Sequence, residues 1–232
     1  MVSSAFRMAK NGFYLPDRST SAGLERTAAK SRLFERDELM FPILISRHGQ
    51  VALAKPKFPT RAEFETYVEA YERSGLNISV RPSAELVRHI RAATSVFTSP
   101  SLRALESLRL LDPERTPIVD AVFREEPQII PEIAGRLPLL AWFSLTRGIG
   151  SFHPNEFNTR LAMHQRAKVA AELLTGGARQ GPVALIGHGW FNRAIAGALV
   201  QSGWRRAKNH GGSGVFGRVS SEWGYSVFES GS

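Results

Sequence analysis

Short apolar runs alternate with stretches of helical periodicity along most of this chain, and this alternation limits the folds open to it. Residues 42–46 (PILIS) and 182–187 (PVALIG) are almost entirely apolar, as is typical of strands buried on both faces. Within residues 60–75 the apolar side chains instead recur at i, i+3, i+4 and i+7: Phe64, Tyr67, Val68 and Tyr71. This order predicts an α/β fold, a three-layer α/β/α sandwich with a mainly parallel central sheet.

The helix predicted over residues 99–111 (SPSLRALESLRLL) has a recognisable start. Ser99 suits the N-cap and Pro100 the first helical position, and a row of leucines is expected to line the buried side: Leu102, Leu105 and Leu108. Further along, Gly176 is expected to end a helix that begins near residue 158. A Gly-rich turn and two strand-like runs, residues 215–219 and 225–228, complete the chain.

The first 40 residues differ from the rest of the chain. Residues 1–40 are polar, with thinly spread apolar side chains, and predict a basic, poorly ordered N-terminal extension. Residues 41–232 are predicted to form one folded domain, because a single domain is the expectation at this length. Met40 directly precedes the first apolar run, so translation could also start there; determining the N-terminal sequence of the native protein tests this.

Composition excludes several classes of site and partner. The chain has no cysteine, which excludes disulfides, thiolate metal sites and a cysteine nucleophile. Its net charge of +9 favours anionic partners. The basic residues are scattered, which favours phosphorylated compounds over nucleic acid. With no apolar stretch of membrane-spanning length and no secretory signal, we expect a soluble, cytoplasmic protein without a membrane partner, and its oligomeric state stays open.

Polar side chains follow three of the predicted strands at their carboxyl ends. Arg47, His48 and Gly49 follow the first, Arg103 lies in the first turn of the helix after the strand near residue 97, and His188 follows residues 182–187. The carboxyl ends of parallel strands share one edge of a sheet, where ligands bind. Two arginines and two histidines beside free helix amides suit a phosphoryl group, because guanidinium forks bind its oxygens in pairs.

In this order, the motifs resemble the histidine phosphatase, or phosphoglycerate-mutase-like, superfamily, and within it the small-phosphatase branch. The matching stretches are LISRHG, SPSLRALESL, VFREEP and ALIGHGWFNRAIAGAL, which span Pro42 to about Gly203. The resemblance implies that residues 41–232 are a catalytic domain. It also implies hydrolysis of a phosphomonoester, on a small molecule or a phosphoprotein, without a metal or another cofactor.

The resemblance also implies roles for individual residues. His48 becomes the nucleophile that is phosphorylated, and Arg47, Arg103 and His188 form the phosphate pocket, with Gly49 leaving the pocket mouth uncrowded. Glu125 becomes the general acid and base, since it follows an arginine as in the family pattern. Glu126 is the alternative for that role. Asn192, four residues after His188, is expected on a helix surface, with contact to the site as the alternative.

One stretch departs from the best-known members of the family. They often carry a small hydroxyl residue soon after Arg-His-Gly, with an asparagine a little later, whereas the sequence here is Gln50-Val51-Ala52-Leu53. This weighs against a glycolytic mutase and favours a phosphatase. Two alternatives stay open: phosphoryl transfer between hydroxyls, as in the mutases, and a non-catalytic module that binds phosphate or a phosphoprotein.

Overall fold

The computed structural model describes residues 40–148, 154–212 and 220–231. The strands of these residues are β1 (Ile43–Arg47), β2 (Ser95–Thr98), β3 (Ile118–Val119), β4 (Val183–Gly187), β5 (Trp204–Gly212) and β6 (Ser220–Ser230). The helices are α1 (Arg61–Arg73), α2 (Ala84–Ala92), α3 (Leu102–Leu111), α4 (Leu139–Gly148), α5 (Pro154–Ala178) and α6 (Gly189–Gln201), with a 3-10 turn at Ala121–Phe123. Apart from Met40, the predicted N-terminal extension lies outside the described residues.

The six strands form one sheet in the order β3-β2-β4-β1-β6-β5. Strands β1 to β4 run parallel, whereas β6 is antiparallel to β1 and β5 is antiparallel to β6. In this register Arg47 pairs with Gly187, and Thr98 pairs with Ile186. The predicted, mainly parallel sheet is confirmed, and the carboxyl ends of β1, β2 and β4 meet at one edge.

Side chains alternate between the two faces of the sheet, so that it is covered on both. On one face, Ile43 of β1 and Leu185 of β4 pack with residues of α5 and α6. On the other, Leu44 and Ile186 pack with residues of α2 and α3. The three-layer α/β/α sandwich is therefore confirmed, and it explains why both strands are apolar throughout.

A smaller apolar cluster joins α1 to α4 beside the sheet. Phe64 and Trp142 stack with ring centroids 5.3 Å apart, and Tyr67 completes the buried part of this cluster. The Trp142 indole N–H donates to the Pro59 carbonyl oxygen at 2.8 Å, so its polar group is satisfied. These contacts hold helix α1, which ends at Arg73, against α4.

The predicted start of α3 is wrong by two residues. Ser101, not Ser99, has the N-cap position, and the helix begins at Leu102. The buried side is also rotated from the expected row of leucines, because Leu102 is 43% exposed whereas Arg103 is 1% exposed. Arg103 thus takes an inward position that periodicity alone assigns to an apolar residue.

Two predictions near helix and strand ends also need correction. Helix α5 continues past Gly176 to Ala178, so this glycine does not end it. Strand β5 is not among the predicted strands, because residues 205–208 are mostly basic and do not alternate between apolar and polar side chains. The strand-like run at 215–219 lies outside the described residues. Within the described parts of the chain, no helix combines the length and the apolar character needed to cross a membrane.

Candidate active site

His48 lies directly after β1 and is 2% exposed. Its backbone N–H donates to the Gly187 carbonyl oxygen at 3.0 Å, which ties it to the end of β4. The ring Nδ1 lies 2.7 Å from the Gly49 carbonyl oxygen, and because that oxygen only accepts, Nδ1 carries the hydrogen. Arg103 Nε donates to His48 Nε2 at 3.3 Å, so His48 Nε2 carries the lone pair. The ring is neutral, with a nucleophilic Nε2.

The surroundings of His48 favour this neutral form. Burial lowers the pKa of His48 well below 6.5, and the positive charges of Arg47 and Arg103 and the neighbouring His188 lower it further. The hydrogen bond to Gly49 acts in the opposite direction but is outweighed. At pH 7 the imidazole is thus unprotonated at Nε2, as a nucleophile must be.

Arg103 enters the site from the first turn of α3. Its Nη2 lies 3.4 Å from His188 Nδ1, while Nη1 and Nη2 donate to the carboxylate of Glu72 at 3.1 and 3.0 Å. The guanidinium also lies over the ring of Tyr71, 5.1 Å from its centroid. Glu72 was not predicted: it is one of several charged residues on α1, and only the packing of α1 brings it to Arg103.

His188 follows β4 and is buried against His48. The two imidazole centroids are 5.3 Å apart in an edge-on arrangement. Since Arg103 donates to Nδ1, Nε2 carries the hydrogen, and it lies 2.8 Å from Ser99 Oγ and 3.3 Å from Ser101 Oγ. The serine expected to cap α3 therefore orients a histidine instead.

Asn192 holds the backbone of His188 from one turn along α6. Its side-chain oxygen accepts the His188 backbone N–H at 3.2 Å, and its side-chain nitrogen donates to the Ser46 carbonyl oxygen at 2.9 Å. The residue is buried, so the expectation of a surface position is wrong. The available signal was a polar side chain four residues after His188, one helical turn along the mostly apolar run WFNRAIAGAL.

The two candidate acids occupy different surroundings. The Glu125 carboxylate accepts the backbone N–H groups of Trp190 at 3.2 Å and Phe191 at 3.0 Å, in the first turn of α6 directly after His188. The carboxylate of Glu126 instead forms an ion pair with Arg166. The Glu125 carboxylate therefore lies at the N-terminus of α6, which begins directly after His188, whereas the Glu126 carboxylate is paired with Arg166.

Arg47 lies at the end of β1, within electrostatic reach of an acidic side chain on β6. Burial opposes ionisation of Glu222, but the charges of Arg47 and Lys55 outweigh it and lower the pKa of this carboxyl. Lys55 Nζ lies 3.3 Å from the same carboxylate. Arg47 also helps to lower the pKa of His48, so it lies close to both.

Gly49 has close neighbours on the side where a Cβ atom would lie. A Cβ atom built at this position would lie 2.3 Å from the Trp223 ring and 2.7 Å from Leu76 Cδ1. Trp223 itself has φ of 60°, uncommon for a bulky residue, and its backbone N–H donates to the His48 carbonyl oxygen at 3.4 Å. Gly49 therefore leaves space for the Trp223 ring and for Leu76, and its expected role at the pocket mouth stays a prediction.

The structure thus brings His48, Arg103 and His188 into direct contact, with Arg47 within electrostatic reach of His48. Glu125 is bonded to the first turn of α6, directly after His188. Two donors of the Arg103 guanidinium face the two histidines, which suits an anion held against a nucleophilic nitrogen. Among the residues that the structure describes, no group of three or more His, Asp or Glu side chains is arranged to bind a metal ion.

Comparison with known proteins gives matches among solved structures only. No protein-family model and no curated protein matches the sequence. The chain is similar to phosphoglycerate mutase from Bacillus anthracis (16% identity, TM-score 0.42, 73% of this chain and 84% of that one). It is also similar to phosphoserine phosphatase from Entamoeba histolytica (17%, 0.42, 70% and 81%) and to a mycobacterial glucosyl-3-phosphoglycerate phosphatase (18%, 0.39, 69% and 80%). Because these TM-scores lie below 0.5, the function is inferred from the site itself.

Proposed function

We propose that this chain is a metal-independent phosphatase of the histidine phosphatase superfamily, which hydrolyses a phosphomonoester through a phosphohistidine on His48. One observation carries the proposal: a buried, neutral imidazole whose lone pair at Nε2 faces the guanidinium of Arg103. A site that only binds phosphate has no need of an unprotonated nucleophile at this place, so the contact favours catalysis over mere binding.

In the first step, His48 Nε2 attacks the phosphorus atom, and the bond from phosphorus to the ester oxygen breaks. Arg47 and Arg103 donate to the phosphoryl oxygens, whose charge is spread in the transition state. His188 binds them in the form that carries a hydrogen on Nδ1, the ring nitrogen that Arg103 contacts in the absence of substrate. Glu125, as the carboxylic acid, gives its proton to the departing alkoxide. The products are an alcohol, a phosphohistidine and the Glu125 carboxylate.

In the second step, water replaces the alcohol. The Glu125 carboxylate accepts a proton from the water, whose oxygen attacks the phosphorus atom while the bond to Nε2 breaks. His48 recovers its lone pair, Glu125 recovers its proton and inorganic phosphate leaves. Two steps of lower barrier thus replace one difficult displacement by water.

The test is to trap the intermediate. With p-nitrophenyl phosphate as substrate, the wild-type chain should release phosphate without a bisphosphate primer, and rapid denaturation should yield acid-labile, alkali-stable phosphohistidine. His48→Ala should lose both the turnover and the label. Undiminished hydrolysis by this variant would contradict the mechanism, and turnover that depends on a primer would favour a mutase.

A further inference from the structure

The two edges of the Arg103 guanidinium have different partners. The end-on edge, formed by Nη1 and Nη2, donates to both oxygens of the Glu72 carboxylate at 3.0 to 3.1 Å. The side-on edge, formed by Nε and Nη2, faces His48 Nε2 at 3.3 Å and His188 Nδ1 at 3.4 Å. Each edge is a fork that matches two oxygens of an oxyanion.

The end-on edge also has support beyond the carboxylate. Nη1 lies 3.4 Å from the Glu72 backbone carbonyl oxygen, and the guanidinium plane lies over the Tyr71 ring. The three contacts come from neighbouring residues near the end of α1. They fix the rotation of the guanidinium, since a planar fork held along one edge has its other edge aimed in a set direction.

We propose that Glu72 is a positioning residue for phosphoryl transfer, which aims the side-on edge of Arg103 at the phosphoryl group on His48. This inference rests on the proposed function. A phosphoryl group at Nε2 would take the Nε–H and Nη2–H donors that now face the histidines, while Glu72 keeps the end-on edge. Glu72 is half-exposed, touches neither histidine, and acts through Arg103.

A competing role for Glu72 makes the opposite prediction. If its carboxylate only occupied Arg103 in place of the substrate, its removal would free a guanidinium and strengthen phosphate binding. If it aims the side-on edge, its removal lets the guanidinium rotate and weakens both phosphate binding and transition-state stabilisation. The sign of the change in phosphate affinity therefore separates the two roles.

The experiment compares Glu72→Ala, Glu72→Gln and Glu72→Asp with the wild type. For p-nitrophenyl phosphate we expect kcat/KM to fall about tenfold to hundredfold in Glu72→Ala, mostly in kcat, as for a misplaced group that binds the transition state. Glu72→Asp, which keeps the charge, should recover part of the loss. The dissociation constant of inorganic phosphate, measured by calorimetry, should rise in Glu72→Ala.

Glu69→Gln is the matched control. Glu69 lies about one turn earlier on α1, is exposed, and pairs with Arg73 rather than Arg103. This variant should keep wild-type kcat/KM and phosphate affinity. Melting temperatures of all variants separate a loss of function from a loss of folded protein.

A double variant shows whether Glu72 acts through Arg103. Adding Glu72→Ala to Arg103→Ala should change kcat no further; additive losses would overturn the positioning role, as would tighter phosphate binding or unchanged kinetics in Glu72→Ala. If the wild type hydrolyses no ester, the proposed function fails, but phosphate binding still tests the positioning role of Glu72. Weaker phosphate binding by Glu72→Ala would then support that role, and unchanged phosphate binding would overturn it.

Discussion

His48 and Gly49 are neighbours in sequence, and the hydrogen bond between them determines which nitrogen of the imidazole reacts. The Gly49 carbonyl oxygen accepts a hydrogen bond from His48 Nδ1–H, so that Nε2 presents its lone pair to Arg103. At the residue scale, Nδ1 of the His48 ring is thus held by the adjacent residue, and Nε2 by Arg103, which is distant in sequence. The Cβ position of Gly49 is surrounded by distant residues only, Trp223 of β6 and Leu76 after α1.

Substitution of Gly49 tests its role as a packing position. Gly49→Ala places a Cβ atom 2.3 Å from the Trp223 ring, so we expect a loss of about 1 to 3 kcal/mol in the free energy of unfolding. Activity should fall as well, because His48 is adjacent. Urea unfolding measures the loss.

The control for this variant is Gly197→Ala. A Cβ atom at Gly197, within α6, meets nothing within 4 Å. Alanine is the better helix former by roughly 1 kcal/mol, so this variant should be neutral or more stable. Equal destabilisation by both substitutions would show that contact with Trp223 is not the cause.

Neighbouring glutamates allow a direct test of the general acid. Glu125→Gln should lower kcat about a hundredfold or more for an alkyl phosphate, and less for p-nitrophenyl phosphate, whose leaving group needs little protonation. Glu126→Gln removes an ion pair with Arg166 and should leave both rates nearly unchanged. Steady-state kinetics with the two substrates measures the difference; the reverse pattern would transfer the role to Glu126.

At the scale of elements, the start of α6 connects two strands and the carboxylate that we propose as the general acid. The Asn192 side chain binds the His188 backbone N–H and the Ser46 carbonyl oxygen, so it joins α6 to the end of β1. The Glu125 carboxylate accepts two further N–H groups of the same turn. Donors that a helix start leaves without partners are thus used to assemble the site.

Removal of the Asn192 side chain should disturb the arrangement of the two histidines. Asn192→Ala leaves a buried carbonyl oxygen and a buried N–H without their partners, so we expect a loss of about 1 to 3 kcal/mol in stability. We also expect roughly a tenfold loss in kcat, because His188 is no longer held in place. Thermal unfolding and steady-state kinetics measure the two effects.

Asn209 supplies the matched substitution. It is exposed on β5 and accepts one hydrogen bond, from Ser226 Oγ at 2.9 Å. Asn209→Ala should change stability by no more than about 0.5 kcal/mol and leave kcat unchanged. If Asn192→Ala behaved in the same way, the bonds at the start of α6 would not position His188.

At the scale of the whole molecule, burial of a neutral histidine connects folding to pH. The pKa of His48 is 6.5 in the absence of the fold and well below that in the folded chain. Between these values the unfolded state binds a proton that the folded state does not, so stability is lost as pH falls below 6.5. The slope that one such group contributes is at most about 1.4 kcal/mol per pH unit.

The measurement compares the wild type with His48→Gln, which cannot take up that proton. Urea unfolding between about pH 7 and pH 5 should show a steeper fall in stability for the wild type than for the variant. Paired carboxyl groups add their own loss at lower pH: the hydrogen bond and charge of Lys208 lower the pKa of Glu85 from 4.5 to about 2. Parallel curves above that range would mean that His48 is not buried in its neutral form.

Much of the fold followed from local patterns. The strands β1 and β4 and the helix α1 lie within one or two residues of their predicted positions, because their apolar patterns reflect burial. The start of α3 and the end of α5 did not follow. Ser99 suits an N-cap in isolation, but its hydroxyl has a buried histidine as an alternative partner.

By itself, the sequence determined which residues end β1 and β4 and enter α3, and in a parallel sheet these positions share one edge. It thereby predicted that His48, Arg103 and His188 lie together. Only the tertiary structure decided their partners: Glu72 for Arg103, Ser99 for His188 and Trp223 behind Gly49. The physical reason is that strand and helix periodicity depend on neighbouring residues, whereas a side-chain hydrogen bond depends on how distant elements pack.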